Sequence, residues 1–358
     1  MRKIYCTDKY KAYQKNRQKD ELLYSRRKHI ANNKYNQYIE KQRLAAKIKY
    51  KASKVKCDDE KQNRVKLDAP ANFSLKENTA EVLLFLSGLI HYINTRQPIY
   101  LNLKDVNNVA VDTLLAIVAI FDARNIRDVR GNYPDDRNAY RLIKDYGFFD
   151  AIHAKSILDV HSMDRNIFSI KSGTKADSGI VDEIVDFVNL DNITYMIVKK
   201  MIYATLLEII GNANEHAYSS GNIFGLKKNW YLCVHKTDSS ILFTVLDNGF
   251  GIVRTIKRKT SERAKEIFSI VRYFDKIQDT DLLKAAFVES GRSESGHRYR
   301  GKGLPTIYRR SIVNGQFTDF TVISNKAMLN IAMDGTIIPT NLTESFNGTL
   351  FSWKIILN

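Results

Sequence analysis

Hydrophobic and polar positions fall into three regimes along the chain. Over residues 1–66 the apolar side chains Leu22, Leu23, Ile30, Ile39, Leu44 and Ile48 are too sparse to build a core. That stretch has no Gly or Pro and many Lys, Arg, Gln and Ala, so it reads as helix, with Pro70 closing it. Tyrosines (Tyr10, Tyr13, Tyr24, Tyr35, Tyr38, Tyr50) interleave with its charges. Residues 71–165 then alternate. An apolar helix is predicted over Val82–Ile93, a strand after Pro98 over Ile99–Leu103, and a very apolar helix over Asp112–Ala123. A short strand at Val129–Gly131 and a helix running from Pro134 to Gly147 complete this unit. Alternation at this spacing predicts a twisted sheet with helices packed on it. From residue 180 onward the pattern gives one long helix, Asn192–Tyr218, then strands at Trp230–His235 and Ile241–Leu246. Further strands are expected at Phe317–Ile323 and Thr349–Leu357, which suggests an α/β sandwich with a mixed sheet. The predicted organisation is therefore a basic helical arm (1–70), a smaller α/β domain (71–180) and a larger α/β domain (181–358).

Composition changes this picture mainly through charge. The 358 residues carry 56 Lys+Arg against 39 Asp+Glu, a formal +17. Residues 1–70 hold 21 basic and 8 acidic side chains, a net +13. The remainder is nearly neutral. With 44% hydrophobic and 11% aromatic residues in the whole chain, the remainder can bury a real core, which excludes global disorder and fibrous repeats. The longest clean apolar run, Leu114–Phe121, is far short of the ~20 residues that cross a bilayer. No apolar stretch follows Met1-Arg2-Lys3, and Cys6, Cys57 and Cys233 form no CxxC pair. A reducing, cytoplasmic setting without a membrane partner is the expectation. The basic arm has two readings: it grips phosphates and stacks bases of a nucleic acid, or it is a solvated face that meets an acidic protein partner.

Glycine maps the candidate chemistry. None occurs in the first 87 residues, five in 88–200 and twelve in the last 158, so a phosphate-binding surface belongs in the C-terminal part. Three motifs stand there in order. On the long helix, Glu208 and Asn212 lie one turn apart on one face, where a carboxylate and a carboxamide could order a water and complete the oxygen shell of Mg. The strand Ile241–Leu246 ends in Asp247-Asn248-Gly249-Phe250-Gly251, a carboxylate beside flexible backbone that can accept a hydrogen bond from the amine of a flat ligand. Gly301-Lys302-Gly303-Leu304-Pro305 opens a helix, an arrangement suited to an anion. Each alone also reads as a solvated face, a turn or a loop. Together they match one nucleotide pocket.

That conjunction resembles the Bergerat-fold ATPases, the histidine-kinase-like superfamily. Its pattern is ExxxNAxxH on a helix, DxGxG after a strand, GxGLP-like glycines and a late Gly-Thr. Here these are Glu208/Asn212/Ala213/His216, Asp247/Gly249/Gly251, Gly301/Gly303/Leu304/Pro305 and Gly348/Thr349. The resemblance implies a C-terminal α/β sandwich, a mixed sheet with helices on one face, that binds ATP and Mg. It implies Asn212 as the Mg ligand, Asp247 as reader of the adenine amino group, and Gly301 and Gly303 around the phosphates, with Lys302 adding charge. It also places Glu208 as general base and Thr349 near the adenine end. Residues 252–300 fall where the family keeps its ATP lid; Gly291-Arg292-Ser293 and His297-Arg298 either close over phosphate or are solvated loop. Glu215 is either a second carboxylate of the site or a surface acid. The middle domain resembles the STAS fold more distantly, through the strand Ile99–Leu103, the loop Asp105-Val106 and Val111-Asp112-Thr113-Leu114-Leu115. Thr113 then stands at the phosphoacceptor position, but it reads better as a helix-start residue.

The function implied is ATP–Mg binding, with binding or slow hydrolysis acting as a conformational switch on a partner. The alternatives are a protein Ser/Thr kinase of the anti-sigma type and a non-catalytic ATP-sensing regulator of nucleic acid. Oligomeric state stays open, a homodimer included.

Overall fold

The structure, a computed structural model, describes residues 64–126, 129–153, 164–175, 177–189, 196–215, 229–264, 278–288, 303–313 and 315–357. The arm expected over residues 1–63 lies outside them. The described residues all belong to one compact unit.

The chain enters this unit through a strand. β1 (Val65–Asp68) pairs in parallel with β3 (Ile99–Asn102), and β3 with β5 (Arg130–Gly131). Val65 and Lys66, expected to belong to the helical arm, are strand residues instead. A second parallel pair joins β2 (Asn72–Phe73) to β4 (Asn108–Val109). Between these run α1 (Thr79–Asn94) and α2 (Val111–Ala123), followed by α3 (Arg137–Asp145) and α4 (Phe148–Ala151). Asp136 caps α3 by accepting from the Ala139 amide at 2.8 Å, and Gly147, in the left-handed region, turns the chain into α4. α2 is apolar all round, and all but one of its residues are buried. A helix of that kind belongs inside a molecule. Its first turn is fixed by Asp112, which accepts from the amides of Leu75, Lys76 and Thr113 and from the Thr113 hydroxyl. Thr113 is fully buried, a helix-start residue with its hydroxyl occupied.

The large sheet has the order β6-β7-β8-β10-β9, built from β6 (Ile167–Gly173), β7 (Trp230–Lys236), β8 (Ser240–Asp247), β9 (Phe317–Ile331) and β10 (Ile337–Ile356). Every pairing in it is antiparallel, whereas a mixed sheet was expected. Connections of three residues between β7 and β8, and five between β9 and β10, can join only antiparallel neighbours. β6, which the sequence groups with the middle segment, is an edge strand of this sheet.

Helices cover both faces of the sheet, not one. On one side lie α5 (Ser178–Val188), α6 (Met196–Glu215), α7 (Ile252–Ala264) and α8 (Asp279–Val288). α9 (Gly303–Thr306) and the π-helix Ile307–Val313 that continues it lie on this side too. They share a core with Trp230, Leu232, Val245, Phe351 and Trp353. On the other side α1 and α2 meet Tyr231, Cys233, Leu246 and Leu350. Alternate residues of β7 thus face two cores, which is why Trp230–Val234 is a continuous apolar run. Asp122 of α2 ties this second layer down, accepting from the Tyr231 hydroxyl at 2.9 Å and from the Asn229 side-chain amide. Tyr146 and His235 add a hydrogen bond of 3.0 Å between the layer and the sheet. The expected domain boundary at residue 180 falls inside α5. No described helix is long and apolar enough to cross a membrane.

Candidate functional site

α6 presents a buried stripe, Val198, Ile202, Leu206, Ile209 and Ala213, to the sheet. Glu208 and Asn212 stand beside that stripe, both half-buried and one turn apart as the spacing predicts. The Asn212 side-chain nitrogen donates to Glu208 Oε1 at 3.1 Å. With Nδ2 committed, Asn212 Oδ1 is the end of the amide that takes no hydrogen bond among the described residues.

Gly303, 95 residues further along the chain, abuts this pair. A Cβ at Gly303 would overlap the Glu208 carboxylate, so only glycine allows the start of α9 to come this close to α6. Leu304 is half-buried against the same core and Pro305 is buried in the first turn. Beyond α9 the backbone widens into the π-helix Ile307–Val313, a geometry that recurs at functional sites. Ser311 in that segment shares a buried hydrogen bond of 3.1 Å with Thr205 of α6, which fixes the glycine turn against the helix. Gly301 and Lys302, expected to complete the phosphate loop, lie outside the described residues. So do His216, the side chain of Glu215, and residues 291–300.

The second group is set by sheet register. Gly173, Trp230, Asp247, Thr349 and Ser324 form one row across all five strands. Trp230 and Asp247 lie on the face that α6 covers. Asp247 Oδ1 accepts from the Gly249 amide at 2.8 Å and its carboxyl bonds the Thr349 hydroxyl. Burial nevertheless outweighs those bonds and pushes its pKa up to about 6. The Trp230 indole is nearly fully buried beside it and donates to the Lys175 carbonyl at 2.8 Å. Gly348, at φ 95°, lies so near the Asp247 carbonyl that a Cβ would overlap it. Gly251, at φ 84°, turns the chain from the Asp247 loop into α7.

The structure thus unites Glu208, Asn212, Gly303 and Leu304 in one cluster. Asp247, Gly249, Gly251 and Thr349 form a second, at the end of β8. Sequence reasoning missed Trp230, Ser324 and Asn325 around the second cluster, because nothing short of register brings them there. Within residues 252–300, α7 and α8 are docked elements: Leu283 and Phe287 are buried, and Asp279 bonds Lys257 Nζ at 2.7 Å and the Lys326 amide at 3.0 Å.

Among the described residues no group of three or more His, Cys, Asp or Glu side chains could hold a metal. The donors here are one carboxylate and one amide oxygen. That small, hard set fits an ion that draws most of its shell from phosphates and water. Comparison with protein-family models, curated proteins and solved structures gives no match for this chain.

Proposed function

We propose that this protein binds ATP with Mg on the α6 face of the antiparallel sheet. The observation that carries this reading is the convergence of four glycine- and acid-bearing segments, two by two. Gly303 closes on Glu208 and Asn212, and Gly348-Thr349 closes on Asp247. In this reading Asp247 accepts the adenine amine while Thr349 holds the carboxylate in place. The desolvated surroundings of Asp247 make that hydrogen bond worth more than it would be in water. Trp230 supplies the apolar wall.

At the other end, Asn212 Oδ1 and the phosphates would hold the ion, beside the start of α9 that Gly303 brings up against Glu208. Magnesium, when bound, offsets phosphate charge at the transferring group. Glu208 orients the attacking water and takes its proton. Its bond from Asn212 and its position against Gly303 hold the carboxylate still, which is what a base acting on one water requires. Hydrolysis then acts as a switch, because the elements that carry the site share a core with the rest of the unit.

Purified protein with γ-labelled ATP and Mg tests this directly. The expected result is free phosphate that disappears in Glu208→Ala while ATP binding persists. Label on the protein would instead favour the kinase reading, and binding with neither product would favour nucleotide sensing. An Asp247→Asn variant that binds ATP as tightly as the wild type would remove the pocket assignment.

A further inference from the structure

Resting on the nucleotide reading above, we infer that Ser324 and Asn325 of β9 are positioning residues for the base-reading loop, residues 248–251. Consecutive strand residues ordinarily point to opposite faces of a sheet. Here both serve one loop. Ser324 Oγ accepts from the Ile252 amide at 2.8 Å. Asn325 Oδ1 accepts from the Arg254 amide at 3.0 Å, and its Nδ2 donates to the Phe250 carbonyl at 2.9 Å. Two irregularities make this double reach achievable: Asn325 sits at φ 55°, and the β9–β10 pairing shifts register on either side of Phe346, its partner. Register shifts of this kind re-aim side chains, and a left-handed non-glycine residue is a cost that its surroundings must hold in place.

The arrangement also replaces a missing cap. The first turn of a helix leaves backbone amides without partners, and the residue before it usually supplies an oxygen. Before α7 that residue is Gly251, which has no side chain. The oxygens come instead from β9, more than seventy residues away, on residues 0% and 4% exposed. A Cβ on Gly251 would meet Asn325 Oδ1 at 2.6 Å and Ser324 Oγ at 2.8 Å, so glycine makes room for the two side chains. Ser324 also stands in the same cross-strand row as Thr349 and Asp247. The Gly249 amide is held by Asp247 itself, whereas β9 holds the Phe250 carbonyl and the Ile252 and Arg254 amides. β9 therefore sets where the Phe250–Gly251 backbone stands beside the Asp247 carboxylate, and that placement decides how a flat base fits against the loop.

The test measures dissociation constants for ATP, GTP and inorganic tripolyphosphate, each with Mg, on full-length wild type, Asn325→Ala, Asn325→Asp and Ser324→Ala. Asn325→Ala should weaken ATP about tenfold, since sub-ångström placement governs such contacts, with GTP and tripolyphosphate unchanged. Asn325→Asp keeps the acceptor for the Arg254 amide and should recover part of the loss. Ser324→Ala, the milder change, should cost ATP about threefold and decides the matter if Asn325→Ala does not fold. An unchanged ATP/GTP ratio in the folded variants, or an equal loss for all three ligands, overturns the inference alone. Wild-type protein that binds no ATP overturns the nucleotide reading, and this inference with it.

Discussion

At the scale of single residues, Asp247 carries the sharpest expectation. Its carboxyl ionises at about 6 in the folded protein against an ordinary value of 3.8, because burial outweighs the bonds from Gly249 and Thr349. Between those two values the folded protein keeps a proton that the unfolded chain has lost. Stability contributed by this group therefore falls as pH rises from 4 to 6, by at most about 3 kcal/mol, and the loss is complete above that range. Asp247→Asn should flatten this decline, read as the difference in urea midpoints between pH 4.5 and pH 7. ATP affinity should run the other way, rising as pH climbs through 6, because only the ionised carboxylate accepts without also presenting a proton. The same variant should lose ATP affinity by roughly tenfold or more and lose the pH dependence with it. The Glu208–Asn212 pair and the Asp247–Gly249 turn were legible in the sequence because those partners are close in the chain or fixed by helical spacing. Ser324 and Asn325 were not. Their reach depends on a φ angle and a register shift that no local pattern encodes.

At the scale of elements, α1, α2, α3 and α6 were readable, whereas α5, α7, α8 and the direction of the sheet were not. α2 announces itself as a continuous apolar run, and α6 through its stripe and its Glu–Asn spacing. The antiparallel pairing of β7, β8, β10 and β9 depends on which strands find each other, and only the short β7–β8 connection hinted at it. The join between β2 and α2 is where one side chain matters most. Asp112 satisfies three backbone amides and one hydroxyl in a buried turn, and burial raises its pKa above the ordinary range all the same. Asp112→Ala would strand those donors. The expected cost is about 2–4 kcal/mol, measured by urea unfolding, with the wild-type fold retained in circular dichroism. Thr113→Val should cost much less, since it removes one of the four bonds. The docking of α7 and α8 likewise follows from Leu283, Phe287 and Asp279, whose targets on the sheet lie far away in sequence.

At the scale of the molecule, a single apolar cluster runs from Phe73 and Leu115 of the middle segment to Tyr231, Leu246 and Leu350 of the large sheet. A fragment beginning at residue 181 would lose β6 and leave those sheet residues uncovered. It should aggregate or lack a cooperative transition, while a fragment beginning at residue 64 should unfold cooperatively; calorimetry on the two separates the outcomes. The arm makes a different kind of claim, since charge governs association more than fold. If it neutralises about five phosphates of a nucleic acid, log K should fall against log salt with a slope near −4 to −5, and removal of residues 1–63 should abolish binding. A flat salt response would assign the arm to a protein partner. Charge asymmetry, the positions of α1, α2, α3 and α6 and the Glu208–Asn212 pair were determined by the sequence itself, since each depends on composition or on contacts within a few residues. The antiparallel sheet, its burial on both faces and the row that joins Trp230, Asp247, Thr349 and Ser324 were decided by tertiary structure. Such contacts between distant segments form only when the chain folds.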